Sequence, residues 1–203
     1  MTSGNVAEEP LAYRDEEAVT RLAGMADALL AHDREIAAPC DDSVARVIAG
    51  APMIFRRARG YVPRPIPLAR PVDRPVLGCG ALLKNTFCLA DGDRAWLGPH
   101  VGDLDGVTTA AFFEEGVERL SRFTRIRPEV FAHDLHPDLH STHYARARGG
   151  EAAVAVQHHH AHVAAVMAEH GLAGPVIGVA YDGTGYGPDG AAWGGEVLVA
   201  NAE

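Results

Sequence analysis

Four histidines fall within the five positions 158–162, and the loop Asp182-Gly183-Thr184-Gly185-Tyr186-Gly187 begins twenty residues after the last of them. Packing is a poor reason for such a run, because imidazoles are costly to bury without partners. The surrounding segment, Ala152 to His170, reads as a short strand followed by a helix. Residues four apart on a helix share a face, so His158 and His162 point the same way, the geometry in which two imidazoles grip one divalent ion. His159 with His162 is a weaker pair at spacing three, and His160 faces away. Pro175 to Tyr181 is apolar and β-branched, the pattern of a buried strand. Asp182 stands at its C-terminal end, where an open α/β sheet carries its ligand-binding residues. A carboxylate there completes a His–His–Asp set with positions open to water or phosphate oxygens. The glycines after it let backbone N–H groups come close to an anion. The competing reading is an exposed helix N-terminus with no ligand, and Asp182 argues against it.

The 203 residues suffice for one domain or two small ones, and the formal charge of −9 disfavours non-specific binding to a nucleic-acid backbone. Three cysteines, Cys40, Cys79 and Cys88, form no C-x-x-C pair. That argues against a disulfide framework or a structural zinc site and fits a reducing cytoplasm. The N-terminus lacks the basic-then-apolar pattern of a signal peptide, and no stretch is long and apolar enough to span a membrane.

Along the chain, Asp15 to Ala31 reads as an amphipathic helix with Ala18, Leu22, Met25, Ala26 and Leu29 on one stripe. Ser43 to Ile48 and Met53 to Arg56 read as strands joined by a turn at Gly50-Ala51-Pro52. Arg56, Arg57 and Arg59 beside Gly60 suit phosphate or carboxylate recognition, or else form a solvated strand end. Tyr61 to Pro75 carries five prolines and reads as a stiff spacer, with a domain boundary near residue 70. Pro75 to Gly80 reads as a strand, Lys84-Asn85-Thr86 as a turn, and Thr86 to Ala90 as the returning strand. The tip offers an ammonium, an amide and a hydroxyl for phosphate oxygens, or is an ordinary polar turn. Trp96 to Leu104 reads as a strand entering a Gly/Asp loop. Thr108 to Phe123 reads as a helix with Phe112, Phe113, Val117 and Leu120 inward. Glu129 to Asp134 reads as a strand and Pro137 to Ala147 as a helix. His133, His136, His140 and His143 make a second cluster, in which His136 and His140 have metal spacing but no adjoining glycine loop. Gly183 to Asn201 reads as a hairpin. This order of elements builds a mixed sheet with helices, an α/β architecture.

The motifs Val156 to His162, Asp182 to Gly187, Trp193-Gly194-Gly195-Glu196, Leu83 to Leu89, His133 to Pro137 and Arg56 to Pro63 together resemble those of the HypF family, carbamoyltransferases of nickel–iron hydrogenase maturation. The resemblance runs nearly end to end. Ser3-Gly4-Asn5 is similar to the Ser-x-Asn signature of that family's YrdC-like domain. The resemblance implies that residues 1–69 are the C-terminal part of a YrdC-like domain. Residues 70–203 would be the first lobe of a TsaD-like domain with the actin/Hsp70-type ATPase fold.

The implied reaction takes carbamoyl phosphate and ATP to carbamoyl-adenylate. The carbamoyl group then passes to the C-terminal cysteine of a HypE-type acceptor for cyanide-ligand synthesis. By the same resemblance His158, His162 and Asp182 hold a divalent metal, with iron, zinc and magnesium all open. Lys84, Asn85, Thr86, Gly183, Thr184 and Gly185 lie near the nucleotide phosphates. Ser3, Asn5, Ser43, Arg56 and Arg59 face the adenylate. No residue stands out as general acid, base or nucleophile. The chain lacks the family's acylphosphatase-like domain, zinc-finger pairs and second lobe, so the expectation is a fragment that does not complete the reaction alone. An O-carbamoyltransferase of secondary metabolism and a non-catalytic metal- or nucleotide-binding fragment are the alternatives.

Overall fold

The computed structural model describes residues 4–6 and 9–201. The N-terminal part holds one short helix, α1 (Asp15–Arg21), and one hairpin, β1 (Val44–Ile48) with β2 (Ala51–Arg56). The helix expected to reach Ala31 stops after two turns. Gly24 sits at φ +83°, and beyond it the apolar stripe finds nothing to pack on, leaving Met25 61% and Leu30 fully exposed. Helices this short draw their stability from tertiary contact, and without it the propensity of residues 22–31 is insufficient. The β1–β2 turn is Ala49-Gly50, both at positive φ, the geometry that matches strand twist in a two-residue hairpin. Pro52, expected in the turn, lies instead inside β2 opposite Val47.

The proline-rich stretch is a strand, not a spacer. β3 (Ile66–Gly78) runs unbroken through Pro67, Pro71 and Pro75 and pairs antiparallel with β4 (Cys88–Leu97). Its register shifts between Pro67 and Val72 and again between Val72 and Val76. Proline donates no N–H to a ladder, so pairing lapses where prolines cluster while the extended φ they impose is kept. β4 ends at Leu97. Residues 98–104, the expected Gly/Asp loop, bury Val101 and Leu104 in the same core as Phe87.

The central sheet has the order β4-β3-β5-β6, with β5 (Val130–Asp134) and β6 (Ala153–Val156) both parallel to β3. Parallel neighbours need crossovers, supplied here by α2 (Val107–Thr124) and α3 (His140–Gly149). Phe113, Val117 and Leu120 recur at three- and four-residue spacing on α2 and are buried, and Arg125 in the left-handed conformation ends the helix. Phe113 meets Phe87 and Tyr144 edge-on, at ring separations of 5.6 and 5.1 Å. Leu77 and Leu89, register partners on β3 and β4, complete this core.

A smaller layer follows. α4 (His158–Glu169) buries Val163 and Met167 against β7 (Val176–Ala180) and β10 (Glu196–Ala200), which pair antiparallel. Between them β8 (Gly185–Tyr186) and β9 (Ala192–Trp193) form a short hairpin. β7 was expected to be buried throughout, but its burial alternates. Gly178 and Ala180 face α4, while Ile177, Val179 and Tyr181 point out.

Candidate functional site

The site assembles where the C-terminal ends of the parallel strands β5 and β6 meet the end of β7. In the β5–β6 register Asp134 stands opposite Val156, so the two strand ends lie side by side and α4 starts immediately above them. Gln157 caps α4: its Oε1 accepts the His160 N–H at 2.9 Å. This leaves the Gln157 amide nitrogen as donor, to His159 Nδ1 at 3.0 Å and the Tyr186 carbonyl at 3.3 Å. The cap thereby ties the first turn of α4 to the glycine loop as well as satisfying an orphan N–H.

His158 and His162 share a face as their spacing requires, and Asp182, just beyond β7, meets them. Asp182 Oδ2 lies 2.7 Å from His158 Nε2 and 3.1 Å from His162 Nε2, and the two Nε2 atoms are 3.3 Å apart. An ion bonded to N and O ligands at about 2.0–2.2 Å holds donors at right angles about 3 Å apart, so the three donors fit a divalent cation. Among the described residues this is the one group of three such side chains whose donor atoms all lie within 4.8 Å of one another.

Asp134 is the residue that sequence reasoning missed. Its Oδ2 accepts from His158 Nδ1–H at 2.6 Å, and its Oδ1 accepts the His136 N–H at 2.8 Å. Fixing Nδ1 as donor leaves Nε2 facing the other two side chains of the set, the arrangement by which a carboxylate orients a metal-binding imidazole. The hydrogen bond to Asp134 raises the His158 pKa above its ordinary value against the opposing effect of burial. Burial alone would raise Asp134, but His158 and the His136 N–H together hold it below the carboxylate range. Asp182 is likewise held low: burial acts upward, and the Gly183 N–H and His158 outweigh it. A signal for Asp134 was present, since it ends β5 much as Asp182 closely follows β7.

His159 and His160 separate as their positions on the helix dictate. His159 is fully buried, stacked on Trp193 at 6.5 Å, with Gly185 packed so closely that a Cβ there would meet its ring. The Trp193 indole donates to Asp189 Oδ1 at 3.0 Å, closing the hairpin over α4. The second histidine cluster comes apart. His133 donates from Nδ1 to the Asp134 carbonyl at 2.6 Å, His136 meets the Tyr186 ring, and His140 turns toward Phe113 and Glu114.

Of the phosphate candidates, Gly183 and Thr184 are exposed beside Asp182, whereas Gly185 is buried against α4. Lys84 is exposed in the left-handed conformation, its backbone N–H donating to Asp103 Oδ1 at 2.8 Å. Asn85 is buried, and its amide donates to the carbonyls of Cys79 and Ala81 at 3.0 and 2.7 Å. It shapes the turn that presents Lys84 and Thr86. Of the adenylate candidates, Ser3 lies outside the described residues. Asn5 and Arg56 line one cavity of about 250 Å³. Ser43 instead staples backbone, donating to the Arg59 carbonyl and accepting the Ala58 N–H, both at 2.9 Å. The Arg59 guanidinium donates to the Cys40 carbonyl at 3.2 Å.

Comparison with known proteins identifies the family of each part. Residues 71–169 match the HypF Kae1-like domain, and residues 178–203 match the second subdomain of a carbamoyltransferase Kae1-like domain. Residues 1–58 match the YrdC-containing family described as telomere recombination. Carbamoyltransferase HypF2 of Cupriavidus necator is 53% identical over 99% of this chain, and carbamoyltransferase HypF of Synechocystis is 46% identical over 97%. The chain spans about a quarter of the length of each, 26%. The crystal structure of full-length HypF in the phosphate- and nucleotide-bound form superposes with a TM-score of 0.94 at 48% identity, covering 98% of this chain and 32% of that one. With a YrdC-like segment ahead of a Kae1-like lobe, and relatives of this closeness along its whole length, the chain belongs to the HypF carbamoyltransferase family.

Proposed function

We propose that this chain carries part of the machinery by which carbamoyl phosphate and ATP become carbamoyl-adenylate and the carbamoyl group reaches the C-terminal cysteine of a HypE-type acceptor. The observation that carries the reading is the convergence of His158, His162 and Asp182 beside an exposed Gly183-Thr184 loop. When bound there, a divalent ion would orient phosphate oxygens and offset their charge. The chain's own groups do the rest. Asp134 holds the His158 ring in register, and the Gly183 and Thr184 backbone approaches phosphate with little steric cost. Gly185 seats the loop on α4, Lys84 and Thr86 reach toward the nucleotide, and Asn85 sets their turn. Asn5 and Arg56 line the adenylate side, and Ser43 and Arg59 hold the backbone beside it through the Ala58 N–H and the Arg59 and Cys40 carbonyls.

In this reading residues 1–69 end a YrdC-like domain and residues 70–203 begin a TsaD-like one. The boundary falls inside β3, so the two parts share a continuous strand rather than a loose tether. Burial pushes the thiols of Cys79 and Cys88 up, to about 12 and about 11, which disfavours the reactive thiolate. The test is the substitution His162→Ala in a HypF-type enzyme carrying this segment. Loss of divalent-metal binding together with loss of ATP-dependent thiocarboxamide formation on the acceptor cysteine, read by intact mass, is expected. Unchanged transfer in that variant would sink the reading.

A further inference from the structure

The cavity beside Arg56 is walled by both parts of the chain: Asn5, Cys40, Asp41 and Arg56 on one side, His100 and Asp103 of the loop after β4 on the other. Arg56 is half-buried, and among the described residues its guanidinium has no hydrogen-bond or carboxylate partner. The acids nearby are mostly engaged. Asp103 Oδ1 accepts the Lys84 N–H, and the Glu9 carboxylate takes the Arg21 guanidinium at 2.7 Å. A half-buried guanidinium left without an acceptor is an anion site in waiting. His100 faces the same space. Burial first, then the Arg56 and Lys84 charges, hold its pKa below the ordinary value against the opposing pull of Asp41 and Asp103, and the ring has an N–H to give in either protonation state. Asp41 supplies an acceptor, which suits a ligand that carries an N–H or O–H donor close to its phosphate. At about 250 Å³ the cavity falls below the ~300–1,000 Å³ that encloses a whole drug-sized ligand, so it suits part of one, and the unpartnered Arg56 guanidinium favours the phosphate-bearing part.

We propose that His100, reaching across from the Kae1-like part, contacts the phosphate-bearing end of the ligand held by Arg56 and Asn5, so that the YrdC-like site is completed by the neighbouring unit. The proposal rests on the adenylate reading above and adds to it a ligand-contacting residue outside the YrdC-like segment. It also gives the fixed apposition of the two parts a purpose. The ligand cannot be gripped fully unless the loop Pro99–Asp103 is in place, and that loop is anchored independently by Val101 N–H to the Asn85 carbonyl at 2.9 Å and Asn85 N–H to the Gly102 carbonyl at 2.7 Å.

The test titrates the whole chain, with labelled histidines, with AMP and separately with inorganic phosphate, following the His100 ring resonances by NMR. AMP is expected to shift them. His100→Ala should weaken AMP binding by about ten- to a hundredfold, the scale of a hydrogen bond to a charged group, and His100→Asn should recover part of the loss. The metal titration at His158 and His162 should stay unchanged in both variants. Wild-type AMP affinity in His100→Ala with loss in Arg56→Ala overturns the proposal and leaves the adenylate reading standing. A His100 response to phosphate without AMP binding upholds the anion site and removes the adenylate. Silence of the unsubstituted His100 toward both probes overturns the proposal without reference to any variant's folding, and AMP binding that persists in that silence leaves the adenylate reading intact.

Discussion

Asp134 and Asp182 hold opposite edges of one imidazole, at 2.6 Å from Nδ1 and 2.7 Å from Nε2 of His158. Only the second faces the converging donors, so the two carboxylates have different tasks. Asp182 offers an oxygen to the converging set, whereas Asp134 fixes the ring from its other edge. Asp134→Asn should therefore leave all three donors in place while lowering divalent-metal affinity by about 10–100-fold, the usual cost of losing an orienting carboxylate. Isothermal titration with Zn²⁺ or Co²⁺ measures this, and an unchanged affinity would show that the ring needs no such support. Spacing found His158, His162 and Asp182 because two lie on one helix face and the third ends an adjacent strand. Asp134 is 24 residues from its partner, and only the β5–β6 register brings it there.

At the level of elements, the site depends on how closely β7 approaches α4. Gly178 lies against Val163 with no room for a side chain, since a Cβ there would overlap the valine methyls. Gly178→Ala must push β7 outward or force Val163 off its rotamer, an overpacking cost of about 1–3 kcal/mol. Because β7 leads to Asp182 and α4 carries both histidines, the same change should weaken metal binding as well as lower the melting temperature. A variant that melts lower yet binds metal with full affinity would show that the strand end moves independently of its middle. The elements legible from pattern were those with a core to face, such as α2, expected over Thr108 to Phe123 and found over Val107–Thr124. The helix expected to Ala31 failed for want of a surface to bury against. The proline-rich strand read as a spacer because its prolines account for the extended backbone, whereas its pairing depends on β4, which composition does not record.

On the scale of the molecule, one face of the β7–β10 pair stands out. Val197 pairs with Val179 and Val199 with Ile177, and these side chains point away from α4 with Ile177 76%, Val197 69% and Val199 83% exposed. A contiguous apolar face of this kind drives association, and the net charge of −9 opposes it only diffusely. Light scattering of the chain should therefore rise with concentration, and Val199→Lys should suppress the rise without lowering the melting temperature. Scattering that is flat in the unsubstituted chain would show that the face is tolerated by water.

The sequence by itself determined the α/β class, the helical face shared by His158 and His162, the aspartate at a strand end and the family resemblance. The shared face and the strand end depend on spacing within a segment, where the 3.6- and 2-residue periods act without reference to the rest of the chain, while the class and the resemblance depend only on the order of such segments. Only the tertiary structure decided that Asp134 orients His158, that Asn85 shapes a turn instead of reaching out, and that His100 joins Arg56 across one cavity. Those depend on strand register and on the apposition of distant segments, which burial of the whole core selects and no local pattern records.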